Sequence, residues 1–119
     1  MVVTSDNKEL QLLLSGNSKA VRSFGQQRYK LLQRRVKVLQ QADTLEDVRN
    51  VSGHFHELTE NRKGQWACDL DQPYRLIFVP HEKPIPQNED GQYVWVEIKG
   101  VELTEIVNYH ERHKAKRRP

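Results

Sequence analysis

Six residues have side chains suited to moving protons and holding phosphate, at places where an apolar strand pattern does not require them: His56, Arg62, Lys63, Arg75, Tyr109 and His110. Histidine takes or gives a proton near neutral pH, and arginine and lysine stabilise developing negative charge. Together these types fit metal-free cleavage of RNA. A base takes the proton of a ribose 2′-hydroxyl, cations stabilise the extra charge on pentacoordinate phosphorus, and an acid protonates the leaving 5′-oxygen. The same residues also fit a plainer reading, as polar decoration of a sheet edge. His54 and His56 form a His-x-His pair and His110 and His113 a His-x-x-His pair, spacings that zinc sites use. The acids near them form no recognised metal motif, so they read as ordinary surface histidines, and no metal or other cofactor is expected. The sequence has no P-loop, GxGxxG, GxSxG or HExxH. Its single cysteine, Cys68, excludes a disulfide framework and a cysteine-based zinc finger, and it reads as a small hydrophobe in mid-strand.

The elements that must position these residues follow from periodicity. Met1–Thr4 reads as a short edge strand. Asp6 and Glu9 are spaced as a capping box for a first helix ending near Leu14. After the turn residues Ser15–Ser18, a longer helix is expected from about Lys19 to Ala42, weakened or kinked at Gly25. Val21, Phe24, Leu31, Leu32, Val36, Val38 and Leu39 fall on one arc of its wheel, and Lys19, Arg22, Lys30, Arg34 and Lys37 fall opposite. Arg28 and Arg35 lie inside the apolar arc, where they snorkel or pair with an acid from the sheet. Thr44–Asp47 opens a helical turn ending near Asn50. Strand patterns follow at His54–Thr59, Gln65–Leu70, Tyr74–Val79, Tyr93–Ile98 and Val101–Val107, with a turn at Asp71-Gln72-Pro73 and a surface loop over Pro80–Gly91. A strand, then two or three helices, then a run of strands predicts an α+β domain, with the helices packed on one face of a mostly antiparallel sheet.

With 119 residues, 36% hydrophobic and 29% charged, the chain is long enough for one small core but not for two domains. No apolar run exceeds Leu12–Leu14 or Leu76–Val79, and the first residues carry no signal-peptide pattern, so a soluble intracellular protein is expected, with no membrane partner. Charge is segregated within a net +3. Residues 17–41 hold seven Lys/Arg and no acid, residues 112–119 hold five and no acid, and residues 82–105 hold six acids against two lysines. Basic blocks set apart from an acidic stretch fit a polyanion partner such as nucleic acid, or equally a solvated helix face and a basic tail.

The order of certain short segments resembles a known family. His56-Glu57-Leu58, Asn61-Arg62-Lys63-Gly64-Gln65-Trp66 and Gln72-Pro73-Tyr74-Arg75-Leu76-Ile77-Phe78 resemble the centre of the HigB-type killer toxins, in the RelE/ParE superfamily of bacterial toxin–antitoxin modules. Pro84-Ile85-Pro86, Glu89-Asp90-Gly91 and Ile106-Val107-Asn108-Tyr109-His110 follow in the family's order, so the resemblance spans roughly residues 20–110. It implies a toxin domain over residues 1–110, two N-terminal helices against a twisted antiparallel sheet, and a basic tail over residues 111–119 outside the family pattern. It implies cytoplasmic, metal-free cleavage of messenger RNA on the bacterial ribosome. A helix-turn-helix antitoxin would neutralise the toxin and be its only link to operator DNA. By position, His56 and His110 match family active-site histidines and Arg75 the arginine facing the scissile phosphate. Arg62 and Lys63 match basic residues before the Gly-Gln-Trp strand, and Tyr109 the tyrosine of a terminal Asp-Tyr-His motif. Asn108 stands where that motif has aspartate; it keeps the shape but cannot carry the charge.

Three functions stay open on these residues. The first is a ribosome-dependent endonuclease, in which Lys19, Lys30, Arg34, Lys37 and the tail bind ribosomal RNA. The second is a toxin-fold protein that blocks a target such as DNA gyrase without cutting RNA. The third is a non-toxic RNA-binding domain. Titratable histidines favour the first, and Asn108 the other two.

Overall fold

The computed structural model describes residues 1–108. The elements run β1 (Val2–Thr4), α1 (Lys8–Leu14), α2 (Ser18–Phe24), α3 (Gln26–Gln41), β2 (His56–Glu57), β3 (Trp66–Asp69), β4 (Tyr74–Pro80) and β5 (Gly100–Asn108), with short 3₁₀ turns at Leu45–Asn50, Glu60–Arg62 and Trp95–Glu97. The strands form one sheet in the order β1-β5-β4-β3-β2. Only the β1–β5 pair is parallel; the other neighbours are antiparallel. The fold is therefore α+β, and among the described residues no helix is long and apolar enough to cross a membrane.

Asparagines start the first two helices. Asn7 accepts the Leu10 N–H at 3.1 Å and Asn17 the Ala20 N–H at 3.0 Å, each satisfying an amide that the first turn leaves without a partner. The first cap is thus Asn7, not the Asp6–Glu9 pair that spacing favours. The long second helix is two helices. Gly25, at φ 105° and ψ 134°, leaves helical geometry altogether, and its carbonyl restarts the ladder by accepting Tyr29 N–H at 2.9 Å. In α3 the buried side chains are Leu32, Val36 and Leu39, spaced to form one stripe.

That stripe packs on alternate residues of the sheet. Trp66 and Cys68 of β3, Leu76 and Phe78 of β4, and Val101 and Leu103 of β5 join it in the main core, together with Leu10, Leu13, Leu45 and Val48. Cys68 is fully buried there, and burial pushes its thiol pKa up, so it packs as an apolar side chain. The residues of opposite parity, Ala67, Ile77 and Val107, form a second, smaller cluster with half-buried Leu58. No α-helix among the described residues covers that face.

Two expected strands are shorter or absent. His54–Thr59 yields only a two-residue strand, His56–Glu57, bracketed by left-handed backbone at His54 and Glu60, both at φ 55°. Tyr93–Ile98 is not a strand. Trp95 and Ile98 are both buried, three residues apart, a spacing that a 3₁₀ turn satisfies and alternation does not. The turn brings the Trp95 ring edge-on to Trp66 at 5.4 Å. Tyr93 makes only an isolated bridge to Gln87.

Candidate active site

The helix-free face of the sheet gathers the chemistry. His56 pairs with Ala67, Ala67 with Ile77, and Asp69 with Arg75, so His56, Asp69 and Arg75 project from one face of β2, β3 and β4. Arg75 Nε lies 3.2 Å from Asp69 Oδ1, and His54 Nδ1 lies 3.4 Å from Asp69 Oδ2. Asp69 therefore sits between a guanidinium and an imidazole. Further along the same face, Arg62 reaches Glu105 of β5 at 3.5 Å and donates to Gln65 Oε1 at 2.7 Å.

The strand of His56 and the backbone of Asp69 are held from below. Two residues are a short strand, so β2 needs an anchor, and Glu57 supplies it. Its carboxylate accepts from Arg49 Nη2 at 3.2 Å and from Trp95 Nε1 at 3.1 Å, on the side of the strand away from His56. The Leu58 N–H donates to the Gln65 carbonyl at 2.8 Å and continues the β2–β3 contact. Asp69 is fixed through its backbone. Its N–H donates to Gly53 O at 2.8 Å, and its carbonyl accepts from Arg35 Nε at 2.7 Å. Arg35 comes from the apolar arc of α3, and Gly53 makes room for it: a Cβ there would stand 2.8 Å from Arg35 Nε. Arg28, the other arginine of that arc, pairs with Asp71 at 2.8 Å in the β3–β4 turn, with its guanidinium 3.7 Å from the centre of the Tyr74 ring. These bonds tie α3 to the hairpin that carries Asp69 and Arg75.

The imidazole of His56 has a lowered pKa. Burial is the largest cause, opposed by the hydrogen bond to the His54 carbonyl; the His54 and Arg75 charges lower it further, and Asp69 raises it. Lowered basicity keeps the ring neutral at neutral pH, the form that can accept a proton.

No family model matches this chain, and no curated protein matches it.

The residues singled out by type divide into groups. His56, Arg75 and Arg62 share the helix-free face. Lys63, next to Arg62 in sequence, points elsewhere, with its ammonium 5.3 Å from the centre of the Tyr93 ring, beside a cavity of about 580 Å³ that Glu57 and Trp95 also line. Lys19, Lys30, Arg34 and Lys37 are exposed on α2 and α3, in the layer on the opposite side of the sheet. Asn108 pairs with Tyr74, so register places it on the helix-side face, while its neighbour Val107 pairs with Arg75. Tyr109, His110 and the tail at 111–119 lie outside the described residues. Among the described residues no group of three or more His, Cys, Asp or Glu side chains is placed to hold a metal ion.

Three members of the cluster are absent from the set chosen by residue type: His54 in a chemical role, Asp69 and Glu105. Asp69 had a signal. It stands six residues before Arg75 across the Asp71-Gln72-Pro73 turn, and facing positions of a tight hairpin share a face. Glu105 had none, because its place opposite Ile77 depends on the register shift between Ile77 and Phe78.

Proposed function

We propose that this protein is the toxin of a type II toxin–antitoxin module, a metal-independent endonuclease that cuts messenger RNA on the ribosome. The observation that carries the reading is that His56 and Arg75 project from one sheet face, with burial lowering the pKa of the imidazole. The ordered segments shared with the HigB-type toxins of the RelE/ParE superfamily supply the substrate. In this reading His56 takes the proton of the ribose 2′-hydroxyl as that oxygen attacks phosphorus. Arg75 stabilises the added negative charge on the phosphate oxygens. The bond from phosphorus to the 5′-oxygen breaks, leaving a 2′,3′-cyclic phosphate. The 5′-oxygen takes its proton from His110, a role carried over by resemblance together with that of Tyr109. Arg62 lies along the path of the RNA, and the helix cations contact ribosomal RNA or the antitoxin.

A second reading has its own support. Both arginines of the face already have a carboxylate beside them, Asp69 for Arg75 and Glu105 for Arg62. These two pairs leave neither arginine with an uncompensated charge, which suits a toxin-fold protein that blocks a protein target by binding. Induction in bacterial cells, with transcript ends mapped by primer extension, separates the two. Cleaved messages that disappear with Arg75→Ala, by an expected 10²–10³-fold loss of rate, support the endonuclease. Growth arrest with intact messages rejects it and supports the binder.

A further inference from the structure

His54 is tied to His56 in two ways. The rings stack with centroids 4.0 Å apart and planes 17° from parallel. The His54 carbonyl also lies 2.7 Å from His56 Nδ1. A carbonyl oxygen only accepts, so Nδ1 carries the hydrogen, and in the neutral ring the lone pair is at Nε2. The arrangement has a cost. His54 is not glycine yet has φ 55°, and such a backbone persists only where its surroundings hold it. Asp69 stands beside the His54 ring, its Oδ2 3.4 Å from His54 Nδ1. The left-handed turn presents the carbonyl to the ring two residues on and lays the two rings together.

We propose that His54 is a positioning residue for His56, selecting by its carbonyl the tautomer with hydrogen on Nδ1, and fixing by its ring the direction in which Nε2 accepts the substrate proton. This rests on His56 being the base of the proposed ribonuclease. The 2′-hydroxyl proton passes to Nε2, so the imidazolium that forms has both nitrogens protonated and still donates Nδ1–H to the same carbonyl. No tautomer change is needed at the moment of reaction. The charged groups facing His56 are His54 before β2, Asp69 on β3 and Arg75 on β4. Arg62 and Glu105 form the next pair on that face.

The test uses the whole chain with ¹⁵N-labelled histidine. A long-range ¹H–¹⁵N spectrum above the imidazole titration range reads the tautomer directly. Protonated Nδ1 with unprotonated Nε2 at His56 is expected, and the reverse pattern overturns the proposal without any variant. The second arm is His54→Asn, which keeps the carbonyl and tolerates a left-handed backbone but removes the ring. His56 is then expected to titrate at higher pH, since the His54 charge and part of its burial are gone. The kcat for RNA cleavage is expected to fall about 10-fold with KM unchanged. An unmoved titration and an unmoved kcat overturn the positioning role. If the spectrum is as expected but His56→Ala still cleaves normally, the ribonuclease reading falls and the hold of His54 on the His56 ring stands.

Discussion

Replacing Asp69 with asparagine removes one charge at nearly constant volume from a cluster in which Arg75 and Arg62 each stand beside a carboxylate. Asp69 stands 3.2 Å from Arg75, with side-chain exposures of 24% and 21%. Bare attraction at that distance is about 5 kcal/mol at an effective dielectric of about 20. Desolvation and residual solvent screening reduce what folding gains from the pair to about 1 kcal/mol. Asp69→Asn is therefore expected to lower stability by about that amount, read from urea denaturation. If the face binds RNA as proposed, the effect on that binding is larger in kind. The guanidinium no longer divides its attraction between Asp69 and phosphate, so RNA binding gains about one phosphate contact. For single strands each such contact steepens the fall of log K with log salt by about 0.7. Between 50 and 200 mM salt the variant then loses roughly 2.5-fold more affinity than the parent, from a higher starting value. Fluorescence anisotropy of a short labelled RNA across that range measures both slopes. Parallel lines would refute the reasoning, because they would mean that Asp69 does not hold Arg75 back from phosphate.

Three further outcomes are expected. Because folding lowers the pKa of His56 below its ordinary value of 6.5, the unfolded chain binds more protons than the folded one in the interval beneath 6.5. Stability is thus full above about pH 6.5 and declines as pH falls toward the folded-state pKa. His56→Gln is expected to flatten that decline in urea titrations at pH 7.5 and 5.5, and an unchanged decline would assign it to other groups. Gly53→Ala puts a Cβ 2.8 Å from Arg35 Nε at a backbone φ of 118°, so it is expected to destabilise by at least about 1–2 kcal/mol, measured by thermal unfolding. Charge reversal of Lys30 and Arg34 on the exposed side of α3 is expected to weaken ribosome co-sedimentation and make it less sensitive to salt; unaltered binding would leave that helix face without a role.

The α3 stripe, the β3–β4 hairpin and the burial of Cys68 were legible because each is set by local periodicity and turn chemistry. The arginines in the apolar arc were legible too, as groups needing a partner; which acceptor each would find was not. Arg28 takes a carboxylate in the turn, but Arg35 takes the Asp69 carbonyl, a backbone group that no residue pattern marks. Gly25 was legible as the weak point of the long helix, where the structure breaks it in two, but the 3₁₀ turn at Trp95 depends on burying two side chains three residues apart, which is a tertiary demand. The site shows the same limit more sharply. Residue type singled out His56, Arg62 and Arg75, which share one sheet face, and equally Lys63, which departs from Arg62 at the end of a 3₁₀ turn, and it gave His54 no chemical role. Parity over the expected His54–Thr59 strand puts His54 on the His56 face, but the stacked rings and the carbonyl bond come from a left-handed backbone just before the strand. The His54 ring reaches His56 by a left-handed backbone at φ 55°, a geometry that reading this stretch as an extended strand does not contain.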